Sequence, residues 1–438
     1  HYNLGLLYFN QGSYPEAISS LTRALELAPG LTEALRTLGH AHMKLNQHKE
    51  AITAFTKIAE SGAATEEDYY TLGLACYTAG DRPGAIAAYR KALEQDPGSA
   101  ATRNNLAIAL AEDGKFAEAE SEYRAALNAE PTFVEAWINL GRLYEQHQMP
   151  EKAMEALEKA VALKPALADV QYELALLYDA AGQEEKALEA YRIAVREKPD
   201  FFEAHLSLGI LLRERGDYPG ANAAYTRATE LNPNSIDAHF GLGLIYQEQR
   251  QLDAAIEAYR RVLEINEGYA EAHNNLGVIY RERNQTDMAL AEYKRALELK
   301  PDYVDAHFNL AVLLDSLGKP DEAEREYLEV IHLDETNAVA RINLGSIYDD
   351  QGRLEEALAE FKRAAELEPQ NSQAHFNLGI IYFKMGQLEG AIEAYKQAIT
   401  LKPDFAEAYE NLGIVYDKQG KYDEALEEYK RALQLRSG

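Results

Sequence analysis

The sequence predicts an all-α solenoid of helix–turn–helix units, and three observations carry that reading. A Leu followed by a small residue recurs every 34 residues, from Leu4-Gly5 and Leu38-Gly39 to Leu412-Gly413, thirteen times without insertion or deletion. An Ala follows twelve residues after each small residue, from Ala17 and Ala51 to Ala425. Apolar residues around both markers keep helical spacing. A fixed period of this size means stacked units, each packed on its neighbours, in place of several closed cores. It shifts the expected function from catalysis toward binding and assembly.

The first helix of a unit is seen in Leu140, Leu143 and Tyr144, whose i, i+3, i+4 spacing places an apolar stripe on one face. A turn follows, often with glycine, as at Gly12, Gly80, Gly114, Gly182 and Gly216. The second helix carries Ala, aromatic, Ala at four- and three-residue steps, as in Ala187-Tyr191-Ala194 and Ala289-Tyr293-Ala296. The small residues let two backbones approach; a larger side chain would overpack the pair at a cost of roughly 1–3 kcal/mol. Nine units then end in Pro, from Pro29 and Pro97 to Pro403, which cannot continue a helix. Asp200, Asp302 and Asp404 are expected to cap the helices that follow. The joints fall near 30, 64, 98, 132, 166, 200, 234, 268, 302, 336, 370 and 404, dividing one array, 1–438. The joint at 61–68 lacks Pro and contains Gly62, so it is expected to open most easily.

Trp137-Ile-Asn-Leu140-Gly141-Arg-Leu-Tyr144, followed by Ala153, Leu157 and Pro165, resembles the tetratricopeptide repeat (TPR), and the likeness extends over all thirteen units. The resemblance implies a right-handed superhelix whose first helices line a concave groove. It also implies a protein-interaction role without enzymatic activity.

Composition narrows the partners. A formal charge of −28 argues against nucleic acid, which requires a basic surface. It favours basic partners. No apolar run approaches the roughly 18 residues of a membrane span. The lone Cys76 excludes an internal disulfide, and it fills a slot usually held by Tyr, as at Tyr144 and Tyr280, so a buried structural thiol is expected.

Carried over from the family, the groove stripe includes four slots around the ruler. Two residues before the small one stands Asn, at Asn3, Asn105, Asn139, Asn275, Asn309, Asn343, Asn377 and Asn411. This is similar to the asparagine ladder in the TPR arm of O-linked N-acetylglucosamine transferases, where amides grip an extended peptide backbone. An amide both donates and accepts, so it can pair with a peptide group of any sequence; it can equally bond between neighbouring helices. Six residues before the small one stand acids, at Glu33, Glu67, Glu135, Asp169, Glu203, Asp237, Glu271, Asp305 and Glu407. Their place in the first turn suits the positive end of the helix dipole, and they also line one edge of the groove. Three residues before it stand aromatics, at Tyr2, Tyr70, Tyr172, Phe240, Phe308 and Phe376. One residue after it comes an apolar side chain, such as Leu176, Val312 or Ile414. Such a stripe packs between repeats or receives a ligand's apolar side chains.

Four residues before the small one, His1, His205, His239, His273, His307 and His375 recur. Packed helix axes lie roughly 8–10 Å apart, too far for successive imidazoles to share one metal ion, so a stacking role is expected and no metal or other cofactor. No phosphate-binding loop, metal cluster or nucleophile motif is present. The Lys and Asn of a carboxylate clamp for acidic chaperone tails are absent as well.

The chain starts inside a first helix and stops where another would begin, with no polar capping helix. Solenoids need capped ends for solubility. Self-association through the ends is therefore expected: Leu4, Leu7 and Tyr8 of one copy meeting Tyr429, Leu433 and Leu435 of the next, a head-to-tail contact that would build a filament. The alternatives are a monomeric adaptor for a peptide or protein, and the recognition arm of a larger enzyme such as a glycosyltransferase.

Overall fold

In the computed structural model, which describes residues 1–437, 26 α-helices follow one another with no strand among the described residues. The chain divides into two compact units, His1–Asp217 and Tyr218–Gly438, each containing thirteen of the helices. Within each unit a helix packs against the ones immediately before and after it, and adjacent first helices also touch.

The Leu-small ruler lies where the two helices of a repeat cross. A Cβ on Gly277 would meet the Tyr293 ring at 2.6 Å, and one on Gly243 would meet Tyr259 at 2.5 Å. The aromatic of the second helix thus lies flat on the small residue sixteen positions earlier. Tyr89, Tyr191, Tyr225, Tyr259, Tyr293, Tyr327 and Tyr395 are the largest fully buried side chains, and the Ala twelve residues after the small one is buried in every repeat. Each such aromatic removes on the order of 150–250 Å² from water, so the core is a file of tyrosines held by small neighbours.

The turn inside each repeat has a left-handed residue. Gly80 (φ 81) and Gly114 (φ 75) take that conformation without a Cβ penalty. Asn46, Gln148, Arg250 and Asn284 occupy the same place with φ of 56, 57, 59 and 56. The backbone closes alike in both cases: Gln148 N–H donates to Glu145 and Met149 N–H to Tyr144, the Schellman pattern.

The joints differ from expectation in two ways. The caps of the helices after Pro199, Pro301 and Pro403 are Phe201, Tyr303 and Phe405, without side-chain cap bonds; Asp200, Asp302 and Asp404 stand one residue too early. The same apolar cap occurs at Leu31, Phe133 and Leu167, and Phe201 and Phe405 sit in buried clusters there; a Lys ammonium also lies over each ring, Lys198 at 4.2 Å, Lys300 and Lys402 at 4.9 Å from the ring centroids. At the joint around 64, Thr65 and Asp68 form a reciprocal capping box. Asp68 also accepts both branches of the Arg36 guanidinium, at 2.7 and 2.8 Å. Arg36 and Thr65 hold the Asp68 carboxyl below the usual range against the opposing effect of burial. The joint without proline therefore has its own constraints, and the premise that it lacks them is corrected.

Candidate protein-interaction face

On the first helices, acid, amide and apolar residue stand at i, i+4 and i+7, one stripe of an α-helix. Asp305, Asn309 and Val312 show the pattern on Val304–Ser316, and Glu407, Asn411 and Ile414 show it on Ala406–Lys418. The acids are exposed throughout except Glu271, which is half-buried and bonded to Lys300. Asp169 is bonded in the same way to Lys198. The apolar members are not core: Leu176, Ile210 and Ile414 are about two-fifths exposed.

Most of the asparagines are half-buried and already bonded within the protein. Asn275 donates to the Tyr259 hydroxyl at 3.2 Å and Asn343 to the Tyr327 hydroxyl at 3.1 Å. Asn105 donates to Tyr70 at 2.9 Å. Two relays run further. Asn139 donates to Asn104, which donates to Asn105; Asn309 donates to Asn274, which donates to Asn275. Asn377 accepts from Gln373, while Asn3 is exposed. The signal available in the sequence was a Tyr sixteen residues before the Asn, as in Tyr259/Asn275 and Tyr327/Asn343.

The aromatic members are half-buried and stack on the tyrosine file. Tyr70 packs on Tyr89, Tyr172 on Tyr191, Phe240 on Tyr259, Phe308 on Tyr327 and Phe376 on Tyr395, with ring centroids 5.5–6.0 Å apart. Tyr2 packs against the core of the first repeats. These rings join one helix to the next and are only partly exposed.

The histidine slot has a role that sequence reasoning missed. In nine consecutive repeats its side chain faces the backbone carbonyl six residues earlier: Arg103 to Pro97, Trp137 to Pro131, Gln171 to Pro165, and His205, His239, His273, His307, Arg341 and His375 to residues 199, 233, 267, 301, 335 and 369. Every residue type there carries a ring, amide or guanidine N–H at its tip. The slot ties a first helix to the joint that precedes it, which replaces the stacking role expected for it. His273 and His307 also meet Glu292 and Glu326 through Nδ1, each at 2.6 Å. Among the described residues no group of three His, Cys, Asp or Glu could hold a metal ion. Cys76 is buried, and burial pushes its thiol up to about 11.

The geometry defines a class: paired antiparallel helices repeated with a constant left-handed turn and a tyrosine-filled interface. Models of the tetratricopeptide repeat match residues 1–31, 36–100, 88–121, 236–269, 258–291, 304–337 and 406–438. A further TPR-repeat model matches 279–318, 345–386 and 381–420, and the TPR domain of cytochrome c-type biogenesis protein H matches 121–239. The chain belongs to the tetratricopeptide repeat family. No curated protein matches it significantly. Among solved structures it is similar to MamA (31% identity over 37% of this chain and 95% of that one, TM-score 0.36). It is also similar to YrrB, described as a TPR protein with an unusual peptide-binding site (26%, 42% and 95%, TM-score 0.38). PilF of Pseudomonas aeruginosa is a third such structure (21%, 46% and 92%, TM-score 0.42). No helix among the described residues is long and apolar enough to cross a membrane.

Proposed function

We propose that this chain is a non-enzymatic protein-interaction scaffold whose first-helix stripe holds an extended or helical segment bearing basic and apolar residues. The observation that carries the reading is the shared stripe of exposed acid, amide and half-exposed apolar side chain, repeated on successive first helices that touch one another. Exposed carboxylates attract Lys and Arg over a screening length of about 8 Å at physiological ionic strength. The amides retain acceptor and donor capacity beyond the bonds described above, since each offers two donors and two lone pairs. The apolar members give the segment's side chains a place to leave water.

The test is fluorescence anisotropy with labelled peptides of alternating Lys and Leu, against peptides of alternating Glu and Leu. The basic peptide is expected to bind more tightly, to weaken with salt, and to weaken further on Asp305→Lys with Glu407→Lys. Equal affinity for both peptides, or no loss on charge reversal, overturns the reading. Asn377→Ala, which breaks only a bond within its own helix, probes the amide contribution.

A second reading, stacking of copies end to end, is supported by exposure of Leu4 (44%), Leu7 (52%) and Leu433 (69%). Tyr8, Tyr429 and Leu435 are half-buried beside them. Light scattering over rising concentration tests it: long assemblies that Leu433→Lys reduces to monomers support stacking, and a monodisperse monomer at all concentrations refutes it.

A further inference from the structure

The repeats of this chain act as internal references for one another, and some of them lack a carboxylate that others contain. In repeats nine and ten the slot histidine has both nitrogens engaged. His273 meets the Glu267 carbonyl through Nε2 and Glu292 through Nδ1; His307 does the same with Pro301 and Glu326. In repeats four and eleven an arginine makes the equivalent pair, Arg103 with Glu122 and Arg341 with Glu360. The acid stands nineteen residues after the slot in all four. His205, His239 and His375 instead have Ala224, Ala258 and Ala394 at that offset. In repeat eight His239 faces the Pro233 carbonyl through Nε2 at 3.1 Å. An open cleft of about 700 Å³ lies beside it, lined by His239, Leu242, Tyr246, Ala254 and Ala258, with charged residues at its rim.

We propose that this cleft binds the carboxylate of an acidic side chain on a partner protein, seated beside His239 Nδ1 where Glu292 and Glu326 sit beside their own histidines. The site is separate from the first-helix stripe and has the opposite charge preference.

The charges around the cleft allow it. Asp253 is bonded to Arg283 at 2.7 Å, and Glu264 to Arg261 at 2.8 Å. Arg260 reaches the Tyr280 hydroxyl. The lining holds three carboxylates, Asp253, Glu257 and Glu264, and two guanidinium groups, Arg260 and Arg261; Arg283, from outside it, makes the charges equal in number, so a proton on His239 tips the sign. Because Nε2 faces a carbonyl it carries a proton, and a carboxylate at Nδ1 then requires the second one. Binding thus takes up one proton and converts the imidazole to imidazolium. Leu242, Ala254 and Ala258 give the floor an apolar character suited to the stem of a glutamate and its apolar neighbours. A control exists in the same chain. The equivalent cleft at Leu35 and Ala54, about 430 Å³, has the alanine but leucine in the histidine slot; its one imidazole, His42, stands at the Tyr246 position with Nδ1 on Gln47, and no carboxylate preference is expected there.

The experiment uses the full chain and two capped pentapeptides, one with a central glutamate between leucines and one with glutamine in its place. Binding is followed by calorimetry and by the ring-nitrogen NMR signal of His239. The glutamate peptide is expected to bind about three- to tenfold more tightly near pH 6, as a charged hydrogen bond at a partly exposed site allows. It should move the Nδ1 resonance of His239. Ala258→Glu is expected to move the same resonance without peptide and to abolish the preference; Ala258→Gln should abolish it without that shift, and His239→Ala should abolish it as well. Indistinguishable peptides near pH 6, or an Ala258→Glu variant that folds and leaves the His239 signal in place, overturn the proposal. Loss of Lys–Leu peptide binding on Asp305→Lys, with the glutamate preference intact, shows that the two sites stand or fall separately.

Discussion

The side-chain amide of Asn343 donates to the Tyr327 hydroxyl at 3.1 Å, linking residues sixteen apart that lie in consecutive repeats. The same spacing separates Tyr293 from Asn309, but Asn309 gives its amide to Asn274, and the buried Tyr293 hydroxyl has no hydrogen-bond partner.

The two tyrosines should therefore respond oppositely to loss of the hydroxyl. Tyr327→Phe removes a made bond and is expected to destabilise by about 0.5–1.5 kcal/mol. Tyr293→Phe removes a buried group that lacks a partner and is expected to be neutral or stabilising. Urea unfolding followed by circular dichroism measures both; equal losses would contradict the assignment.

A second contrast lies in the turns. Gln148 has φ 57 where most repeats have glycine. A non-glycine residue in the left-handed region costs about 1–2 kcal/mol, so Gln148→Gly is expected to stabilise by about 1 kcal/mol, after the added entropy of the unfolded chain is subtracted. Gly114→Gln, the reverse change one repeat earlier, should destabilise by a similar amount. Thermal melts of the two variants give the check.

The joint around 64 depends on one carboxylate. Asp68 is 2% exposed and accepts from Arg36 and Thr65. Asp68→Ala leaves Arg36 without its partner and opens the capping box, at an expected cost of roughly 2–4 kcal/mol. Amide exchange at 61–68 should accelerate sharply while exchange at 197–204 is unchanged. Since the folded Asp68 pKa is depressed, its contribution is present in full above the unfolded carboxylate value and fades as pH falls through the folded one.

His307 gives the opposite pH sign. Burial lowers its pKa, but the bonds to Glu326 and the Pro301 carbonyl and the charges of Glu326 and Glu329 outweigh that, and the net effect is upward. The raised folded value means a contribution complete below the unfolded histidine pKa and lost as pH rises through the folded one. Local exchange around 304–316, corrected for intrinsic rates, should quicken across that window, each loss of about 1.4 kcal/mol raising the rate about tenfold. His307→Arg, which copies Arg341, should remove the dependence.

Much of this was legible in the sequence. The 34-residue period, the small residue under an aromatic and the glycine turns are fixed by spacing along the chain, because helix pitch and a constant turn leave little else free. The acids of the stripe were legible for the same reason. The asparagines were harder to place. Their tyrosine partners lie one repeat away, a separation that helical periodicity within one segment does not register. The joint-carbonyl contact of the histidine slot was hidden because Trp, Gln, Arg and His look unrelated until their common N–H is compared. The joint caps were misplaced by one residue because the cap position faces the core, as buried Phe201 and Phe405 show, where cap statistics favour aspartate.

The side-chain hydrogen bonds that join repeats recur among the described residues at offsets such as sixteen and 35 residues, each between one copy and the next. An excision of any 34 consecutive residues within one compact unit would therefore return the Leu-small ruler and the alanine twelve residues after it to neighbours of the same kind at the same offset. Unequal recombination between copies of such a gene yields a shorter or longer chain that still folds at its new seam. Copy number can then drift under selection for reach, while the chemistry of each rung changes independently by point substitution.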